Sequence, residues 1–338
     1  MPANLTLRYL QAEKEYRRAT TAEEELACLQ AMLRELPKHK GTDKLQADLK
    51  QRISKAKQAY EARKNAKKQG TGLRMPRQGA GRVVLLGGPN VGKSQFVQTT
   101  TRAEPEVAVY PFTTQKPSPA MMPFEDVFFQ LVDTPPVTGD LFDADTESLV
   151  RGADLVLLLL DLGSDEGLSD GLAVTNRLAA GRTRLATESY LDDADIGVSY
   201  TRTILVPNKI DLPDAPLRWQ MFQDEGLPRS HGEGGPSFPH ALISAIEGTG
   251  IDELRQAVFD ALEVVRVYTK LPTEKEPDFT NPFTIRRGET LAEVAQLIHK
   301  DIADHLKSAR VWGSQVHGGT QVKPDYEPAD KDVVELHT

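Results

Sequence analysis

The chain has 338 residues, 39% hydrophobic and 27% charged, with a formal net charge of −8, enough for one full α/β domain plus one or two smaller modules. Its single cysteine, Cys28, excludes an internal disulfide and a cysteine metal cluster and fits a reducing intracellular compartment. Charge is uneven: residues 1–80 carry +9 and the remainder −17, so the basic portion is where nucleic acid would bind. Met1–Tyr9 lacks a basic end followed by an apolar run, and the longest apolar stretch, Leu155–Leu160, is too short to cross a bilayer. The expectation is a cytoplasmic protein with no membrane partner.

Residues 1–68 read as helical. Leu26, Leu29, Leu33 and Leu36 follow heptad-like spacing, and Leu45, Leu49, Ile53, Ala56 and Tyr60 form a second stripe. Thr21 with Glu24 resembles a capping box, Pro37 follows the end of one helix and Gly41-Thr42 starts the next, which predicts a helical hairpin. From Lys50 to Arg82 there are eleven basic residues against one acid, Glu61. The tail of this run, through Gly70, Gly72 and Pro76, predicts a linker.

Arg82–Leu86 is an apolar run that ends in glycine and precedes a helical pattern from Lys93, the strand–loop–helix order of a nucleotide-binding unit. Buried strands are predicted at Val127–Val132, Leu155–Leu160, Thr203–Pro207 and Ala241–Ser244, with helices near Leu172–Leu185 and Ile251–Val264 and an acidic loop at Asp192–Asp195. Strands alternating with helices predict an α/β fold with a mostly parallel sheet covered on both faces. After a charged bridge, Leu271–Asn281, the pattern restarts. A strand is predicted at Pro282–Ile285, a turn at Arg286–Gly288, an amphipathic helix from Thr290 to Ile302, and strands at Ala309–Trp312 and Val333–Leu336. The expected domains are 1–78, a helical hairpin and basic linker; 79–270, a nucleotide-binding domain; and 271–338, a small terminal module.

Gly87-Gly88-Pro89-Asn90-Val91-Gly92-Lys93-Ser94 fits G-x-x-x-x-G-K-S between strand and helix. Backbone N–H groups of such a loop close around phosphates, Lys93 reaches the β/γ oxygens, and the Ser94 hydroxyl ligates Mg²⁺. The loop alone does not distinguish ATP from GTP. Asn208-Lys209-Ile210-Asp211 at a strand end makes that choice: the Asp211 carboxylate accepts from guanine N1–H and N2–H₂, donors adenine does not present together. Lys209 would lie over the ring, Asn208 would tie this loop to the phosphate loop, and Ser244-Ala245 would offer a backbone N–H to guanine O6. Asp133, ending a strand, would hold Mg²⁺ through water. Thr113 and Thr114, about 20 residues after Ser94, offer a hydroxyl to Mg²⁺ when a γ-phosphate is present; Thr114 is favoured, with Thr113 the alternative. The seven histidines, His39, His299 and His317 among them, are scattered and do not pair at ligand spacing.

These motifs in this order, together with Tyr110-Pro111-Phe112-Thr113-Thr114 and Asp133-Thr134-Pro135, resemble the Obg/DRG branch of translation-factor-related GTPases. Residues 37–46 resemble the helical hairpin before the G domain of developmentally regulated GTP-binding proteins. Pro282–Ile285, Gly288, Ala292–His299 and Ala309–Gly313 resemble their terminal TGS domain, a β-grasp module, with Trp312 as core. The resemblance implies a P-loop GTPase domain, GTP and GDP as ligands, Mg²⁺ as cofactor, and ribosome, ribosomal RNA or tRNA as partner, with an accessory protein and without DNA. It also implies K⁺ held by Asn90, so that Lys93, Thr114 and Asn90 serve hydrolysis.

Two departures stand out. The family's Asp-x-x-Gly is here Asp133-Thr134-Pro135-Pro136, and proline has no N–H to meet a γ-phosphate. No glutamine follows Asp133 closely to position water, which predicts slow intrinsic turnover. The roughly 75 residues between Asp133 and Asn208 are too few for the whole extra domain that DRG relatives carry inside the G domain. The expected function is a GTP-hydrolysing switch on a ribosome- or RNA-linked process; the alternatives are a non-hydrolysing GTP-dependent scaffold and an Obg-like ATPase.

Overall fold

The computed structural model describes residues 6–19, 22–37, 42–65, 75–101, 117–138, 142–191, 198–230, 235–270 and 276–338. None of its helices, among the described residues, is long and apolar enough to cross a membrane.

The N-terminal module holds three helices, not the expected two: α1 (Leu7–Arg18), α2 (Ala22–Glu35) and α3 (Asp43–Asn65). The Thr6 hydroxyl caps α1 by accepting from Tyr9 N at 3.1 Å. Tyr9, Ala12 and Tyr16, three and four residues apart, are the buried face of α1 and pack against Leu29 and Met32 of α2, Leu36 just after it and Leu49 of α3. A face of tyrosine and alanine is a weaker sequence signal than the leucine stripes beside it. Thr21 and Gly41, part of the expected cap and start signals, lie outside the described residues, as do Gly70 and Gly72 of the expected linker.

The central domain runs β1 (Gly81–Leu86), α4 (Lys93–Thr101), β2 (Ser118–Phe124), β3 (Val127–Asp133), α5 (Ala144–Arg151), β4 (Leu155–Asp161), α6 (Gly167–Ala180), β5 (Thr183–Ala186), β6 (Tyr190–Leu191), β7 (Ser199–Asn208), α7 (Ala215–Glu225) and α8 (Ile251–Leu262). Its seven-stranded sheet has the order β2-β3-β1-β4-β7-β5, with β6 also on β7. Neighbours are parallel except β2 on β3 and β6 on β7. The period-two geometry of a strand sorts the apolar runs onto two faces. Val83, Leu85, Leu155, Leu157 and Leu159 meet Phe96 and Val97 of α4 and Leu254 and Val258 of α8. Val84, Leu86, Val156, Leu158 and Leu160 meet Leu149 of α5 and Val174 and Leu178 of α6. Each fully buried side chain contributes about 1.5–3 kcal/mol, an upper estimate against an extended chain. This explains why continuous apolar runs form the central strands.

Three parts of this domain differ from expectation. β2 carries Pro119 and Pro123, which masked it in the sequence; proline is tolerated because β2 is an edge strand. The expected strand Ala241–Ser244 forms only isolated parallel bridges, Leu205 to His240 and Asn208 to Ile243, since Pro207, between them on β7, has no N–H to give to Ala241 O. The expected helix near Leu172–Leu185 is α6, ending at Ala180, with β5 after it. The acidic loop Asp192–Asp195 lies outside the described residues.

The terminal module contains β8 (Val264–Thr269), β9 (Asp278–Arg286), α9 (Leu291–Ile298), α10 (Lys300–His305), β10 (Ser308–Trp312), β11 (Thr320–Val322) and β12 (Asp332–His337), with sheet order β11-β10-β12-β8-β9. The predicted helix from Thr290 to Ile302 breaks at His299 into α9 and α10. A capping box of Thr290 and Glu293 starts α9. Leu291 and Val294 of that helix cover Val265, Val267, Ala309, Val311 and Val334 of the sheet. The boundary expected at 270/271 is therefore misplaced: β8 pairs in parallel with β12 and antiparallel with β9, so the terminal module begins at Val264.

Charged contacts join the modules. Asp154, at the start of β4, receives two bonds from Arg77 (2.9 and 2.8 Å), one from Arg82 N (2.8 Å) and one from Arg286 of the terminal module. Burial acts upward on its pKa, but Arg286 and Arg77 outweigh it and hold the carboxyl below its usual value. On the opposite flank, buried Arg266 of β8 reaches Glu125 and Asp126 of the β2–β3 turn (2.8 Å to Asp126) and Asp330 (2.6 Å), and stacks over Phe259 at 4.7 Å. The helical module joins through Lys14–Glu289 (2.8 Å) and Glu25–Arg151 (3.4 Å).

Candidate functional site

The site lies at the carboxyl edge of the parallel strands, where loops from β1, β3, β4 and β7 converge, the usual ligand position in open α/β sheets. Residues 87–92 connect β1 to α4. Gly87, Gly88 and Val91 are buried, while Pro89 and Asn90 are exposed, Asn90 with φ +58°. Gly92 has φ +96°, and a Cβ there would lie 2.4 Å from Asn208 Nδ2, so only glycine fits. Lys93 Nζ donates to the carbonyl oxygens of Gly87 (2.9 Å) and Gly88 (2.8 Å).

Burial pushes the Lys93 pKa down to about 8, opposed by the nearby Asp133 carboxylate. Between this value and the usual 10.5, the unfolded chain binds more protons than the folded one. Folding stability without nucleotide should therefore rise from about pH 8 to about pH 10.5, by on the order of 2–3 kcal/mol. Below that window the lysine is charged in both states and its burial penalty is fully present. Urea unfolding across this range should show the slope in the wild type and lose it in Lys93→Met; a slope retained in the variant would assign it elsewhere.

Ser94 and Asp133 meet: the hydroxyl donates to Asp133 Oδ2 at 2.6 Å. Asp133 Oδ1 is buried without a hydrogen-bond partner among the described residues, and burial raises this carboxyl's pKa against the pull of Ser94 and Lys93. The loop beyond is anchored at two points. Thr134 donates to Leu85 O at 2.6 Å, and Val137 N–H donates to Gly87 O at 3.2 Å, one residue after the position where Pro136 has no N–H to give. Thr113 and Thr114 lie outside the described residues.

Asn208 bridges two loops: Nδ2 donates to Val91 O at 2.8 Å, and Oδ1 accepts from Ala245 N at 2.9 Å. The expectation set a backbone N–H of Ser244-Ala245 at guanine O6; in this structure the Ala245 N–H is given to Asn208, because the Ile243 bridge to β7 brings the following turn against that side chain. Ser244 holds Asp211 instead, its hydroxyl donating to Oδ1 at 2.6 Å and accepting from Glu247 N at 3.1 Å. Lys209, with φ +72°, pairs with Asp161. Sequence reasoning passed over Asp161 and also Thr99, whose hydroxyl donates to Ala245 O at 2.6 Å. The available signal for Asp161 was its place at the carboxyl end of the longest apolar run.

Comparison with known proteins agrees with this arrangement. Residues 82–190 match the family described as 50S ribosome-binding GTPase, and residues 265–338 match the TGS domain. The developmentally-regulated GTP-binding protein 2 homolog of Dictyostelium discoideum is 26% identical, covering 93% of this chain and 98% of that protein. Ribosome-interacting GTPase 1 of Saccharomyces cerevisiae is 26% identical, covering 79% of this chain and 85% of that protein. Among solved structures, the YchF GTPase of Schizosaccharomyces pombe aligns with a TM-score of 0.52 at 14% identity, over 78% of this chain and 99% of that one, a likeness of fold. With motifs, sheet order and both domain matches in agreement, the chain carries a P-loop GTPase domain followed by a TGS domain and is similar along most of its length to developmentally regulated GTP-binding proteins.

Proposed function

We propose that the chain binds Mg²⁺–GTP through residues 87–94, Asp133 and 208–211, hydrolyses it slowly to GDP and phosphate, and acts as a switch on a ribosome- or RNA-linked process in the cytoplasm. The observation that carries this reading is the phosphate loop with Lys93 beside a hydroxyl–carboxylate pair, Ser94 and Asp133, whose second oxygen is buried without a partner among the described residues. An orphaned carboxylate oxygen next to a hydroxyl fits a divalent cation, with Thr114 as a further ligand. Bound there, Mg²⁺ supplies positive charge to the β- and γ-phosphate oxygens. Water attacks the γ-phosphorus in line as the bond to the β–γ bridging oxygen breaks. Lys93, released from the Gly87 and Gly88 carbonyls, meets the charge that develops on that oxygen. Asn208 and Ser244 hold the loop that carries Asp211 to the guanine edge.

Asn90, exposed at the open side of the loop, is assigned to K⁺. One added positive charge beside the bridging oxygen lowers the barrier by at least ~1.4 kcal/mol, roughly tenfold in rate. Hydrolysis should be that much faster in K⁺ than in Na⁺ at equal ionic strength, and equal rates would leave Asn90 a loop-shaping residue only.

The ribosomal link is supported by the yeast relative, a ribosome-interacting GTPase, and by exposed Lys50 and Lys57, two turns apart on one face of α3, charges suited to phosphate backbone. Co-sedimentation with ribosomes in GTP, a non-hydrolysable analogue and GDP tests the switch: binding that differs between the nucleotide states supports it, and identical binding in all three removes it. A second reading is favoured by Pro136 and by the Val137–Gly87 bond, which hold the segment after Asp133 with no N–H at the γ-phosphate position. This is a GTP-dependent scaffold that does not hydrolyse. Single-turnover phosphate release separates the two, since release above background excludes the scaffold.

A further inference from the structure

Lys209 of the base-reading loop is paired with a carboxylate outside that loop, Asp161. Asp161 closes β4, and the parallel register sets it against Asn208 at the end of β7. Both of its carboxylate oxygens are engaged: Oδ2 accepts from Lys209 Nζ at 2.6 Å and Oδ1 from Gly163 N at 2.7 Å. The Asp161 side chain is 11% exposed and that of Lys209 26%, so the carboxylate is fixed by the fold while the lysine stem keeps an open side. Gly163 leaves room for that stem. A Cβ there would lie 3.1 Å from Lys209 Cδ, 2.8 Å from Leu212 Cδ1 and 3.0 Å from Asp161 Oδ1.

A lysine stem is among the most costly side chains to order. Held by its head at Asp161 and along its length beside Gly163, Lys209 is arranged before any ligand arrives, and a group ordered in advance costs less to use in binding. We infer that Asp161 is a positioning residue for the purine base: it fixes Lys209 where the ring of the nucleotide packs and so sets affinity without touching the nucleotide. This rests on the reading that 208–211 receives guanine.

The test uses the full-length chain and measures affinities for GTP and GDP by nucleotide titration. Asp161→Asn should weaken both by the same factor, roughly five- to tenfold, so that the GTP:GDP ratio is held while KM for GTP rises. In a Lys209→Met background the same change should add nothing, because its route of action is gone. Asp161→Glu, which keeps the carboxylate, should recover part of the loss, and Gly163→Ala should weaken binding with every charge in place. Thermal unfolding without nucleotide confirms that each variant is folded. Unchanged affinity in Asp161→Asn, effects that add to those of Lys209→Met, or an altered GTP:GDP ratio each overturn the inference while leaving guanine recognition standing. A wild-type chain that binds neither nucleotide overturns both.

Discussion

Asp211→Asn should lower affinity for GTP by about a thousandfold and transfer the preference to xanthosine triphosphate. In the wild type the carboxylate presents acceptors only, matched to the adjacent N1–H and N2–H₂ donors of guanine. The asparagine keeps one acceptor and gains a donor, which clashes with the guanine amino group but meets the C2 carbonyl of xanthine. A site built to hydrogen-bond one edge rejects an analogue with the wrong pattern by factors of ~10⁴–10⁵ where the groups are fully buried. Asp211 is half-buried, so the expected loss is nearer ~10³, about 4 kcal/mol. The Ser244 hydroxyl, 2.6 Å from Oδ1, bonds either side chain and keeps the orientation. Competition among GTP, XTP and ATP in wild type and variant gives the answer, and a variant that still prefers GTP would remove Asp211 from base reading.

Arg266→Met should destabilise the chain by about 2–3 kcal/mol and loosen the TGS module first. The guanidinium is buried and serves Glu125, Asp126 and Asp330 at once. Removing one partner of a buried ionic network leaves the others uncompensated, at a cost of about 3–5 kcal/mol. Glu125 is half exposed and Asp330 a third, so water recovers part of this. Methionine keeps apolar contact with Phe259, which isolates the charge from packing. Urea unfolding followed by limited proteolysis should show earlier cleavage between 264 and 338, whereas wild-type stability with an unchanged digest would mean the clasp contributes nothing.

The phosphate loop, Asp133 and the 208–211 loop were legible because their chemistry needs particular residues at fixed spacing beside strand ends, and such spacing survives without tertiary information. The central strands were legible for a related reason: a strand buried on both faces is apolar throughout, as Leu155–Leu160 is. Helix α1 lay within residues that read as helical but was not distinguished as a helix of its own, since its buried face is tyrosine and alanine. β2 was hidden by its prolines. β8 was not predicted, and its residues fell within the wrong module, because a single residue, Glu263, separates it from α8 and no linker composition marks the change. The pairing of Asp161 with Lys209 and the use of the Ala245 N–H by Asn208 depend on which strands are neighbours, and that is fixed only when β4 docks on β7.

The two edges of the central sheet have a consequence for how the chain meets other copies of itself. One edge is β2, where Pro119 and Pro123 remove two of seven possible donors. At the other, the ten-residue β7 is covered along its length, first by the four-residue β5 and then by the 239–243 segment. Short edge strands and edge prolines are the devices by which sheets resist templating a further strand. A protein with this much apolar β-structure can therefore be present at high concentration without its strands recruiting one another into aggregates.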